Sequence, residues 1–186
     1  NTFDFFGEKI TLREVAACLR HPFSALTLGR QKDIAYNLTA QYMNYSNLSD
    51  EKSDAFRHAI WNVVMAKEGW GLKNEKMSWA YDFSTSYDQG GKYKGLSSEM
   101  DLHNNRVGLN YYDLTSVRMY FRFLWWNIEF GVSEPDYVAA CEYIKKKAMN
   151  ATLVNKDTVT LESGRAKINA VNPNELVYII PDNKTY

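Results

Sequence analysis

The chain has no stretch of the ~18 consecutive apolar residues that a membrane-crossing helix needs. Its most hydrophobic run, Met119 to Ile128, is too short and carries Arg122, so no transmembrane segment is expected. Net charge is also absent, with 22 basic residues balanced by 22 acidic ones. Nucleic-acid binders draw their affinity from neutralised phosphates, and this balance disfavours nucleic acid as a partner. Only two cysteines occur, Cys18 and Cys141, with no Cys-x-x-Cys pair, which rules out a thiolate zinc site. Both lie on amphipathic stretches and read as small buried thiols rather than a disulfide. Proline is scarce, at four residues, and no repeat or Pro/Gly-rich linker divides the chain. One domain is the simplest organisation.

What is abundant is aromatic: 13 Tyr, 9 Phe and 5 Trp, within a composition that is 45% hydrophobic and 24% charged. That is the make-up of a folded protein with a large core. Apolar spacing predicts a mainly α fold with a helical body over about residues 10–151. Thr11 caps a first helix that His21-Pro22 breaks. A second runs from about Phe23 to Tyr45, bent near Gly29. A third enters at Ser49 or Ser53 and ends at Glu68 before Gly69, and a fourth covers Lys73 to Tyr87. A loop from Ser84 to Leu96 is expected to wall a pocket. A short helix over Glu99–Val107 is closed by Gly108, and further helices are expected at about Asp113–Phe130 and Glu134–Ala151, with Trp125-Trp126 in the core. Asp157–Leu161 and Leu176–Ile180 have strand composition, so a small C-terminal β-hairpin is expected over about 157–181.

Two segments carry the chemistry. In Ser53–Ala66 the apolar residues Ala55, Phe56, Ala59, Ile60, Val63 and Val64 cover most of a helix circumference, which places the helix centrally. Yet Asp54, His58 and Asn62 follow at i, i+4 and i+8, with Arg57 and Trp61 beside them. Polar groups on a core helix must be bonded or face a cleft. The second segment, Glu99–Gly108, holds Asp101, His103, Asn104, Asn105 and Arg106. The chain has three histidines, and two of them fall in these segments. The third, His21, reads as a surface or capping residue, and Lys145–Lys147 as a solvated helix end.

The pattern Asp54-Ala-Phe-Arg-His-Ala-Ile-Trp-Asn62, followed by Met100-Asp-Leu-His-Asn-Asn105 and Gly108, resembles an uncharacterised bacterial domain family with the motifs D-A-F-R-H-A-x-W-N and M-D-L-H-N-N-x-x-G. His21-Pro22-Phe23, Leu28-Gly29, Asp33 and Ala35 resemble its entry helix. Where that family has His-Glu, this chain has Tyr87-Asp88, keeping the acid without the histidine. Members occur in secreted and cell-surface proteins and as toxin tip domains. The resemblance therefore implies a secreted or cell-envelope bacterial protein, with an immunity-type or other protein as partner.

The residues suit a hydrolase. His58 or His103 would activate water as general base, with Asp54 or Asp101 orienting the ring. Arg57, Asn62, Asn104 and Asn105 would hold substrate and stabilise developing charge, and Trp61 would wall the pocket. No Ser or Cys nucleophile motif is visible, so direct attack by water is expected. A divalent metal between His58, His103, Asp101 and Asp88 is chemically sound. The alternative is a non-enzymatic interaction domain, with the polar residues as a structural network and Tyr111, Tyr112 and Trp125 binding a partner.

Overall fold

A computed structural model describes residues 2–5, 8–43, 52–90, 95–155 and 159–179. Its element order is β1 (Thr2–Phe5), β2 (Glu8–Thr11), α1 (Leu12–Arg20), α2 (Pro22–Ala25), α3 (Leu28–Met43), α4 (Lys52–Glu68), α5 (Lys73–Gly90), α6 (Leu96–Thr115), β3 (Val117–Phe123), β4 (Trp126–Ser133), α7 (Tyr137–Met149), β5 (Thr152–Leu153), α8 (Leu161–Ala170) and β6 (Val177–Tyr178). The fold is mainly α, as the apolar spacing predicts. The first cap is where the sequence puts it: the Thr11 hydroxyl accepts from the Glu14 N–H while the Glu14 carboxylate accepts from the Thr11 N–H, closing a capping box.

α4 is the axis of the molecule. Ala55, Phe56, Ala59, Ile60, Val63, Val64, Met65 and Ala66 have no solvent contact, because α3, α5, α6 and α7 all pack against it. Both cysteines are free and buried, with burial pushing Cys18 up to about 11 and Cys141 up to about 12. His21 ends α1, its N–H returning to Ala17 and Cys18.

Three expectations need correcting. Residues 117–133 form an antiparallel hairpin, not a helix, with Val117 opposite Ser133 and Phe123 opposite Trp126. The segment alternates apolar and polar residues with the period of two that strands require, which its sheer apolar richness masks. Accordingly Trp125 and Trp126 are exposed, not core. The stretch at 157–181 holds no hairpin among the described residues: α8 lies there, capped by the Thr160 hydroxyl, and β6 pairs parallel with β5. Leu161, Gly164 and Ile168 have helical spacing, and Ile168 packs with Leu96, Met100, Val154, Val177 and Ile179. The caps expected at Ser49 falls outside the described residues, whereas Ser53 lies inside α4.

The third correction is Gly108, which sits within α6 instead of ending it. A Cβ at this position would stand 2.0 Å from the Ala59 carbonyl oxygen of α4. Glycine costs about 1 kcal/mol relative to alanine in a helix interior, but here it lets two backbones touch. Gly108→Ala is expected to lower unfolding free energy by about 3 kcal/mol, the upper end of overpacking penalties, because backbone cannot move aside as a side chain can. Chemical denaturation checks this, and an unchanged midpoint would contradict the close approach.

Candidate active site

With α4 and α6 in contact at Gly108, the polar residues one and two turns away are brought face to face. From α4 come Asp54, Arg57, His58 and Asn62, from α6 Asp101 and Asn105, and from α5 Ser84 and Asp88. α5 continues to Gly90, so Ser84 and Asp88 lie one helical turn apart on a helix, not in a loop.

The Asn105 carboxamide is the hub. Its Nδ2 donates to Asp88 Oδ2, which turns Oδ1 toward α4. There Oδ1 accepts from Asn62 Nδ2 at 2.8 Å and faces His58 Nδ1 at 3.3 Å. Asn62 Nδ2 also donates to the His58 carbonyl at 3.1 Å, and Asn62 Oδ1 accepts from the Ser84 hydroxyl at 3.0 Å. An amide oxygen can only accept, so His58 Nδ1 carries its proton. On the other side of the ring, Arg57 donates toward Nε2 at 2.8 Å, which requires a lone pair there. Two independent partners thus assign the same neutral tautomer.

Burial, then the charge of Arg57, hold His58 well below the ordinary imidazole value, against the pull of the Asn105 bond. Its Nε2 lies 3.2 Å from Asp101 Oδ1 and 3.6 Å from Asp54 Oδ1. Asp54 is also held by Arg57, whose guanidinium stands 5.7 Å from the Tyr36 ring. The His58 side chain is 3% exposed, whereas the Asp101 side chain is 19% exposed, which makes Asp101 the more accessible partner of the ring. Beside it, Arg57 and Trp61 line a pocket with Lys32, Tyr36 and Tyr87. Trp61 meets Tyr87 edge-on at 5.3 Å, and among the described residues neither Trp61 Nε1 nor Arg57 Nε has a hydrogen-bond partner.

The structure separates the two histidines that the sequence suggests as a pair. His103 Nε2 bonds the Glu175 carbonyl at 2.7 Å. Asn104 exchanges two bonds with Val177, donating to its carbonyl at 2.8 Å and accepting from its N–H at 2.9 Å. These two residues fasten β6 to α6 on the side away from His58. Of the residues proposed for the site, Asp54, Arg57, His58, Asn62, Asp88, Asp101 and Asn105 come together, Trp61 lines the adjoining pocket, and His103 and Asn104 do not join them. A metal would accordingly have Asp54, His58 and Asp101, whose ligand atoms lie within 4.8 Å of one another, in place of the set containing His103. Tyr36 carries no signal in the sequence, and Ser84, expected only in the wall of a pocket, joins the polar network itself. Ser84 lies four residues before Asp88, the same spacing that flags Asp54, His58 and Asn62, and that signal was available. Tyr111 and Tyr112 are buried, so of the three aromatics suggested for a partner surface only Trp125 is exposed.

A family model described as Domain of unknown function (DUF6973) matches residues 15–119, a span that contains both motifs. No curated protein matches the chain.

Burial pushes the Asp88 carboxyl up from 3.8 to about 7, with the Asn105 bond and Arg57 opposing. The folded state therefore keeps a proton that the unfolded chain loses near pH 4. This contribution to stability is complete at low pH and disappears as pH rises through about 7. Asp88→Asn retains an acceptor for Asn105 and removes the titration. Its stability relative to wild type is expected to rise by about 1.4 kcal/mol per pH unit across that window. His58 titrates with the opposite sign below about 6.5 and acts in both proteins. Parallel stability curves for the two proteins from pH 4 to 7 would contradict the assignment.

Proposed function

This chain belongs to the DUF6973 family, a domain of unknown function, and from its site we propose that it is a hydrolase in which His58 activates water directly. The observation that carries the reading is the pairing of the two His58 nitrogens, Nδ1 against the Asn105 oxygen and Nε2 against Arg57, which leaves Nε2 as the basic atom. Water entering past Asp101 gives its proton to Nε2. Asp54 and Asp101 then face the imidazolium, while Asp88, through Asn105, holds the ring in register.

Arg57 couples substrate to basicity. While it donates to Nε2 it suppresses the base, and an anionic group bound in the Arg57–Lys32 side of the pocket draws the guanidinium off. The freed Nε2 gains basicity as negative charge develops beside Arg57. Trp61, Tyr36 and Tyr87 suit an apolar or planar portion of the same substrate. The zero net charge argues against nucleic acid, and the motif resemblance supports an exported bacterial effector or toxin countered by an immunity-type protein.

Two observations favour other readings of the same residues. The Asp54–His58–Asp101 set offers three ligand atoms to a divalent cation, which would replace Arg57 as the cluster's positive charge and lower the pKa of bound water. The near-complete burial of His58 and the pairing of both its nitrogens favour a structural network in an interaction domain.

Paired substitutions separate these readings. Hydrolysis is followed across ester, phosphoester and peptidoglycan substrates, with and without chelator, alongside growth inhibition on cytoplasmic or periplasmic expression. His58→Asn is expected to lose about 10²- to 10⁴-fold in turnover while remaining folded. His103→Asn is expected to keep turnover and melt at lower temperature. Loss of activity on chelation would identify the metal-assisted version. Stability losses without any hydrolysis or toxicity in the wild type would leave the structural network alone.

A further inference from the structure

The hairpin of β3 and β4 takes no part in the site, and its surface calls for an occupant. Its base is held firmly. Lys73 Nζ donates to the Asp113 and Ser116 carbonyls at 2.6 and 3.1 Å, and Arg118 binds Glu129 at 2.8 Å and Asn74 at 2.8 Å. Beyond that base the strands carry opposite faces. The register sets Phe123 beside Trp126 and Phe121 beside Ile128, and Phe130 comes within 6.1 Å of the Phe121 ring. One face is therefore wholly apolar and the other holds Tyr120, Arg122, Asn127 and Glu129. The apolar residues are exposed, as are Leu124 and Trp125 at the tip, where Trp125 is 78% exposed.

The turn itself shows that apolar side chains are kept there against backbone preference. Leu124 has φ of 55°, the only positive φ outside glycine among the described residues. Tight hairpin turns fill such positions with Gly, Asn or Asp, and a bulky residue there is an outlier. Leucine in this place gives up turn stability and keeps an apolar tip.

We propose that this hairpin lies on the surface of an anionic lipid bilayer, with its apolar face and the Leu124–Trp125 tip in the headgroup–acyl boundary and its polar face toward water. A bilayer covers the face and the tip together, whatever their shape. Tyr and Trp prefer that boundary, where one end of the ring is apolar and the other wet. The charge pattern fits as well. Arg118 is neutralised by Glu129, while Arg122, next to the tip, donates only to the Leu124 carbonyl among the described residues, at 3.2 Å, and is placed to meet lipid phosphate. This inference goes beyond the hydrolase reading and does not depend on it.

The test is co-sedimentation of the full chain with vesicles of phosphatidylcholine alone and of phosphatidylcholine mixed with phosphatidylglycerol, with light scattering to give the oligomeric state. Wild type is expected to be monomeric and to partition onto the mixed vesicles. Trp125→Ser and Leu124→Gly are expected to partition roughly tenfold or more weakly, with Leu124→Gly melting no lower than wild type because glycine relieves the turn. Arg122→Gln is expected to abolish the preference for phosphatidylglycerol. Absence of wild-type binding, or binding equal in Trp125→Ser and Leu124→Gly, would overturn the proposal. So would a dimer that Trp125→Ser dissociates, since the face would then be an interface between copies.

Discussion

The arrangement of this site depends on one buried carboxamide. Asn105 has an acceptor on one end and donors on the other: Asp88 takes its N–H, and its oxygen takes Asn62 and the His58 ring. These partners come from two helices, α4 and α5, that face α6, so the amide cannot be flipped without leaving several buried groups unmatched at about 1–3 kcal/mol each. It is this constraint that fixes which His58 nitrogen carries hydrogen. Gly108, three residues further along α6, sets the distance over which it acts, because the backbones of α4 and α6 touch there.

Much of this was legible in the sequence, for a geometric reason. Asp54, His58 and Asn62 repeat at four-residue intervals, as do Asp101 and Asn105, and residues so spaced share a helix face. Gly108 falls three residues after Asn105, on the same side. His103 was misplaced by the same rule applied too loosely. Two residues apart on a helix is about 200°, so a chain that turns Asp101 and Asn105 toward α4 must turn His103 away, and it meets the Glu175 carbonyl instead. Scarcity of histidine made it look like a partner for His58, but scarcity carries no direction.

The hairpin shows the converse error. The stretch Met119–Ile128 reads as a buried helix if apolar residues are only counted, and as an amphipathic ribbon if their alternation is followed. Core burial explains apolar richness in α4, where four helices cover the residues, but not in β3 and β4, where the same chemistry faces solvent. The C-terminal stretch was unclear because strand-like composition at Val177–Tyr178 reflects burial against α6 and α8 in a two-residue pairing, too short to leave a periodic signal. The chain thus has a buried polar centre and an exposed apolar arm, each contrary to the usual distribution, and each is where function is proposed.

The central claim is the protonation state of one ring, and nitrogen-15 NMR of the histidine side chains reads it directly. At neutral pH the account requires His58 to be uncharged with hydrogen on Nδ1 and an unprotonated Nε2, persisting below the pH at which a free imidazole charges. In Asn105→Ala that preference should be lost. A ring protonated on Nε2, or an imidazolium at pH 7, would contradict the network that orients the site.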